Sequence, residues 1–137
     1  ALYTPDVLFD FGEAKCFCDI ITCAAPNISS LIRRYGRILN QDQLSEIYFT
    51  LKSRIQYILG IAAANNIATL ILGAFGCGVF HNNPYDVAKI FKELLSTDFE
   101  NTFKRVYFSI PDQKTYSIFK EIFKDKINLQ TIIRVVN

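Results

Sequence analysis

Residues 70–84 constrain this chain more than any other stretch: an apolar run leads into glycines at 73, 76 and 78 and leaves through Asn83-Pro84. Ala68-Thr69-Leu70-Ile71-Leu72 is short, apolar and β-branched, which predicts a buried strand. Asn83 is a good N-cap, and Pro84 suits the first helical position, where a missing N–H costs nothing. A helix therefore starts at once, with Val87, Ile90, Phe91, Leu94 and Leu95 as its apolar stripe. The loop between strand and helix can turn sharply at its glycines and let its backbone approach a ligand, while unpaired N–H groups and the helix dipole favour negative charge. A phosphate or diphosphate is the natural occupant, and in an open parallel sheet ligands bind at this edge. A glycine-rich turn that only packs helix on sheet accounts for the spacing equally well.

Two known phosphate loops do not fit. A P-loop needs Lys and Ser/Thr after its last glycine, but Gly78 is followed by Val79-Phe80. A dinucleotide fingerprint needs a third glycine where His81 stands, and it follows the first strand of its fold rather than a late one.

The rest of the chain gives these elements a setting. Val7-Leu8-Phe9-Asp10-Phe11, entered through Pro5 and closed by Gly12, reads as a strand. Residues 18–25 form a near-continuous apolar run stopped by Pro26-Asn27, the pattern of a parallel strand covered on both faces. Residues 28–42 carry Arg33, Arg34 and Arg37, either a solvated face or a hold on an anion. Asp42 can cap a helix in which Leu44, Ile47, Leu51, Ile55, Ile58, Leu59 and Ala62 recur at helical steps, ending near Asn65-Asn66. Residues 103–110 alternate as a fourth strand, and Asp112 can cap a last helix through Phe123. Strands alternating with helices imply an α/β fold, a mostly parallel sheet flanked by helices.

Composition narrows the function classes. With 137 residues, half of them apolar, the chain is long enough for a single domain with its own core. A formal charge of +2 gives no footprint for nucleic acid, and the 12 phenylalanines are explained by core rather than by base stacking. No apolar run approaches the roughly 20 residues of a membrane span, and no signal peptide is visible, so a cytoplasmic protein is expected. Cys16, Cys18, Cys23 and Cys77 lack paired C-x-x-C spacing and His81 is the only histidine, so no metal site is expected, and free, mostly buried thiols are. The absence of Met suggests a processed or excised piece of a longer chain.

Three segments in order resemble the microbial-type poly(ADP-ribose) glycohydrolases, whose fold is a three-layer macrodomain. They are Tyr3-Thr4-Pro5-Asp6-Val7, then Ile20-Ile21-Thr22-Cys23-Ala24-Ala25-Pro26-Asn27, then Leu72-Gly73-Ala74-Phe75-Gly76-Cys77-Gly78-Val79-Phe80-His81-Asn82-Asn83-Pro84 with Val87-Ala88 and Phe91. The likeness covers most of residues 1–124. It implies a partial macrodomain whose loop, Gly73, Ala74, Phe75, Gly76, Cys77, Gly78, Val79 and Phe80, wraps the diphosphate of ADP-ribose with backbone amides, Phe80 packing against the distal ribose. The implied partner is ADP-ribose or an ADP-ribosylated protein, with no cofactor. The family's G-G-G and Q-E-E segment, which carries its catalytic glutamate, has no counterpart here. Glu13, Glu46, Glu93 and Glu100 are not paired as glycosidic cleavage requires, so no catalytic residue is assigned. A non-catalytic ADP-ribose reader and a divergent mono-ADP-ribosyl-protein hydrolase are the alternatives, and a third is a half-sheet that needs another chain for its open edge.

Four positions have two readings each. Asn27 could offer its amide to the ligand or simply end a strand; Asp112 could lie near the adenosine end or cap its helix. His81 reads as a surface histidine before a catalytic base, and Cys77 as packing under the loop before a nucleophile.

Overall fold

The computed structural model describes residues 1–36, 39–125 and 131–137. Strands β1 (Leu2–Asp10) and β2 (Lys15–Thr22) form an antiparallel hairpin. Helices α1 (Ile28–Tyr35) and α2 (Gln41–Ala64) follow, and then β3 (Thr69–Leu72), α3 (Pro84–Ser96), β4 (Arg105–Ser109), α4 (Gln113–Ile122) and β5 (Ile132–Val136). The last three strands lie side by side in chain order, all parallel, and α3 and α4 make the long crossovers that parallel neighbours need. The architecture is α/β, a parallel sheet flanked by helices. Among the described residues no helix is long and apolar enough to cross a membrane.

Local chemistry sets the helix ends. Asn40, rather than Asp42, caps α2: its side chain accepts the Gln43 amide at 2.9 Å while the Gln43 side chain accepts the Asn40 amide at 2.9 Å, a reciprocal capping box. Asp42 sits in the first turn, where its charge suits the dipole. Asn83 and Asp112 cap α3 and α4 as expected. The short helix α1 was not anticipated, because its apolar positions span barely two turns.

The core lies between the sheet and its helices. Leu51, Ile55 and Leu59 of α2 meet Val87, Ile90, Phe91 and Leu94 of α3 over Leu70, Val106 and Phe108 of the sheet. Phe108 is fully buried, with ring centroids 5.1 Å from Phe91, 5.3 Å from Phe119 and 4.9 Å from Phe123. Strand residues alternate between faces, so the opposite face carries Thr69, Ile71, Arg105 and Ile132, and it is bare: Ile71 is 75% and Ile132 48% exposed. The expected three layers are thus present in part, as one covered face and one open one.

Three further differences from the sequence reading stand out. The apolar run expected as a parallel strand covered on both faces is β2, which pairs antiparallel with β1 and is exposed along most of its length. Pro5 is accommodated by a bulge between Thr4 and Val7, where Asp6 takes φ 54° and Asp19 accepts both the Asp6 amide at 3.0 Å and the Tyr3 hydroxyl at 2.6 Å. Strand β5 was not foreseen, since five residues at the end of the chain carry little periodicity of their own. Cys16 and Cys18 are exposed and Cys23 and Cys77 half-buried, all four free, so the thiols are less buried than expected.

Replacing Phe108 by Ala should cost about 3–5 kcal/mol in urea unfolding, because three rings close around the vacated volume only in part. A loss below about 1 kcal/mol, the ordinary cost of a point mutation, would mean that this cluster does not organise the core.

Candidate functional site

The 73–80 loop leaves β3 at its carboxyl end and is folded by its own hydrogen bonds. Cys77 N–H donates to the Ala74 carbonyl at 3.0 Å and His81 N–H to Gly78 at 3.0 Å. Asn82, 2% exposed, does the larger work: its Nδ2 donates to the Pro26 carbonyl at 2.8 Å and to Gly76 at 2.9 Å, while its own backbone N–H reaches Gly76 at 3.1 Å. Pro26 follows β2, so one buried amide ties the loop to the exit of another strand. Its Oδ1 is buried without a partner among the described residues. Ile28 N–H donates to Phe80 at 3.0 Å and the Ser29 hydroxyl to Val79 at 3.3 Å, joining the start of α1 to the far end of the loop. Arg54 of α2 braces the same strand exit through the Ala24 carbonyl.

The glycines are not equivalent. Gly76 has φ +72°, and a Cβ there would fall on the Asn82 amide and the Ala25 methyl, so both backbone and space demand glycine. A Cβ on Gly73 would meet only the Ser109 carbonyl at 3.9 Å, and one on Gly78 would meet nothing. The bareness at Gly78 is therefore not needed for folding.

The electrostatics favour an anion. Among the described residues, the N–H groups of Gly76, Gly78, Val79 and Phe80 donate to no protein acceptor. Helices α1 and α3 both begin here, and their N-caps, Asn27 and Asn83, take up only the amides of Ser30 and Tyr85, each at 3.0 Å. Amides without acceptors beside two helix starts make a positive rim of the kind that receives phosphate groups.

The candidates divide on this geometry. Asn27 is brought next to the loop, and its Oδ1 is the cap of α1. Asp112 caps α4, its carboxyl held below the usual range by hydrogen bonds from Thr115. His81 is exposed at φ 57° on the loop's outer turn. Cys77 is half-buried, and burial pushes its thiol up to about 12, which leaves almost no thiolate at neutral pH. Arg33 and Arg34 are exposed in the last turn of α1, a solvated face, and Arg37 lies outside the described residues. Glu93 pairs with Lys52 at 2.7 Å, Glu13 is in the hairpin turn and Glu46 is on the exposed side of α2. Among the described residues no three His, Cys, Asp or Glu side chains come together as metal ligands. Sequence reasoning missed Asn82 and the Ile28 amide; their partners lie about fifty residues away, and the only cue was a second asparagine beside an obvious N-cap.

Two outcomes follow from this geometry. Gly76→Ala should lower the melting temperature clearly and disorder the loop, whereas Gly78→Ala should leave melting unchanged; equal effects would contradict the packing assigned to Gly76. At pH 8 iodoacetamide should modify exposed Cys16 and leave Cys77 intact in peptide mass spectra, and prompt alkylation of Cys77 would contradict its burial.

Known proteins supply the comparison. No family model matches the chain, and no curated protein matches it. Solved structures do: crystalline poly(ADP-ribose) glycohydrolase from Deinococcus radiodurans in complex with ADP-ribose shares 32% identity at a TM-score of 0.78, over 89% of this chain and 51% of that one. The apo form of the same enzyme shares 33% at 0.76 over 89% and 52%. A mutant of the Thermomonospora curvata enzyme shares 31% at 0.73 over 88% and 48%. The chain spans about half the length of these relatives. Over that half, it has the fold of a bacterial poly(ADP-ribose) glycohydrolase, a macrodomain-like fragment.

Proposed function

We propose that this chain is the ADP-ribose-holding part of a glycohydrolase resembling those bacterial enzymes. The observation that carries the reading is the 73–80 loop, whose amides at Gly76, Gly78, Val79 and Phe80 lack an acceptor among the described residues beside two helix starts, while the buried Asn82 pins it. In this reading the amides of Gly76, Gly78, Val79 and Phe80 take the diphosphate, with Gly73, Ala74, Phe75 and Cys77 completing the turn. Phe80 packs on the distal ribose, and Asn27 turns its amide nitrogen toward the ligand while its oxygen caps α1. Residues 1–137 form one macrodomain-like unit whose catalytic segment lies outside them.

Hydrolysis of the O-glycosidic linkage belongs to the complete protein. Cleavage needs an acid to protonate the leaving oxygen and a way to activate water, and none of the described carboxylates accompanies the loop in that arrangement. The natural partner is ADP-ribose, free or on a protein; a charge of +2 offers little to nucleic acid. Four free thiols suit a reducing cytoplasmic setting.

Calorimetric titration of the chain with ADP-ribose should show saturable binding in the micromolar range, about −8 kcal/mol, with AMP weaker and ribose 5-phosphate weaker still. No heat from a sample shown to be folded would contradict a self-sufficient loop. Gly78→Val should abolish binding without changing the melting temperature, since its side chain enters space that only a ligand uses. Phe80→Ala should weaken ADP-ribose more than AMP, which has no distal ribose; equal losses would remove the stacking role.

A further inference from the structure

We infer that Cys16 and Cys18 form a two-thiolate site for one soft monovalent cation, copper(I), on the β1–β2 hairpin. Two residues apart on a strand, the side chains leave the same face, and their Sγ atoms stand 4.0 Å apart. Thiolates about 2.3 Å from one metal are separated by about 3.8 Å at a tetrahedral angle and by about 4.6 Å when opposed, so the two sulfurs already stand at a bridging distance. Both residues are exposed, and both line a cleft of about 820 Å³, so an incoming ion reaches them without unfolding the strand. The hairpin holds the spacing. Cys16 stands opposite Phe9 in the ladder and Cys18 opposite Val7. On either side the strands are tied across: Lys15 pairs with Asp10 at 2.9 Å, and Asp19 accepts the Tyr3 hydroxyl at 2.6 Å and the Asp6 amide at 3.0 Å. The two thiols lie between these ties on paired backbone, so the ligands are in place before the metal arrives. Phe9 and Phe11, with ring centroids 6.3 Å apart, line the same cleft and give the thiols an apolar flank.

Other chemistries fit this pair less well. Same-face Cα atoms on a strand are about 6.7 Å apart, at the long end of what a disulfide spans, so joining the sulfurs would pull the ladder out of shape. Reaction with peroxide calls for a thiolate, yet partial desolvation and the neighbouring Cys16 thiol hold Cys18 above its ordinary range. Structural zinc takes four ligands, and among the described residues no three His, Cys, Asp or Glu side chains come together. Two thiolates suffice for copper(I), a soft closed-shell ion that accepts two ligands. Binding is an exchange: the copper ion replaces the two S–H protons, which leave to solvent, and neither copper nor sulfur changes oxidation state. The site shares no residue with the 73–80 loop and stands whether or not that loop binds ADP-ribose.

Anaerobic titration of the reduced chain against bicinchoninate, a coloured copper(I) chelator, should show one copper ion taken up per chain. Cys16→Ser and Cys18→Ser should each weaken binding at least about 100-fold, because the second thiolate is then no longer supplied within the same chain. Cys23→Ser should leave the affinity unchanged. Both substituted thiols are exposed, so the melting temperatures of the Cys16 and Cys18 variants should match that of the unsubstituted chain. Bound copper(I) should also protect Cys16 and Cys18 together from iodoacetamide in peptide mass spectra, with the rate at Cys23 unaltered. No uptake, full affinity in either single variant, or an equal loss in Cys23→Ser would overturn the proposal. A single copper ion shared between two chains in native mass spectrometry would overturn it as well.

Discussion

The site depends on one buried amide. Asn82 donates to Gly76 and Pro26 from beneath the loop, and in doing so it fixes two strand exits and a helix start relative to one another. A buried donor is costly unless it is satisfied, and the side-chain nitrogen gives its hydrogens to these two carbonyls, while the amide oxygen is buried without a partner among the described residues. Gly76 follows from it, since only a residue without a Cβ leaves room for that amide. The carbonyls of Ala74, Gly76, Gly78, Val79 and Phe80 are all taken up by hydrogen bonds, while the amides of Gly76, Gly78, Val79 and Phe80 have no acceptor among the described residues. The positive rim is therefore a product of packing rather than of charged side chains, which agrees with a net charge near zero and with arginines that point into solvent.

The same tie holds the two separate sheets together at one end. β2 and β3 are not neighbours in a ladder, yet their exits are held together by Asn82 and, through Arg54, against α2. The buried core sits wholly on the β3–β4–β5 side, under α2, α3 and α4. The hairpin contributes little to it. Stability is thus concentrated in one half of the molecule while the other half, apolar but uncovered, keeps the composition of an interior strand. The 73–80 loop belongs to the well-packed half, since it runs from β3 into α3.

What the sequence made legible was local. The β3–loop–α3 passage was readable because each part has a short-range signal: a β-branched run, glycines, then Asn83-Pro84. The caps at Asn83 and Asp112 were readable for the same reason. The start of α2 lies two residues before the expected cap at Asp42, because Asn40 and Gln43 form a reciprocal capping box. The partnering of β2 was not legible, because its near-continuous apolar run matched a strand covered on both faces, although its partner β1 lies just across the turn at residues 11–14. Asn27 shows the limit most plainly: it was singled out for a ligand, and the structure adds that its oxygen caps a helix no periodicity had announced.

The most direct test is an amide-resolved NMR titration of the chain with ADP-ribose. The account predicts that the largest shifts fall on Gly76, Gly78, Val79 and Phe80, with the amides of the hairpin turn near Gly12 unmoved. Shifts concentrated on the β1–β2 hairpin, or none at all in a folded sample at high ligand concentration, would contradict it.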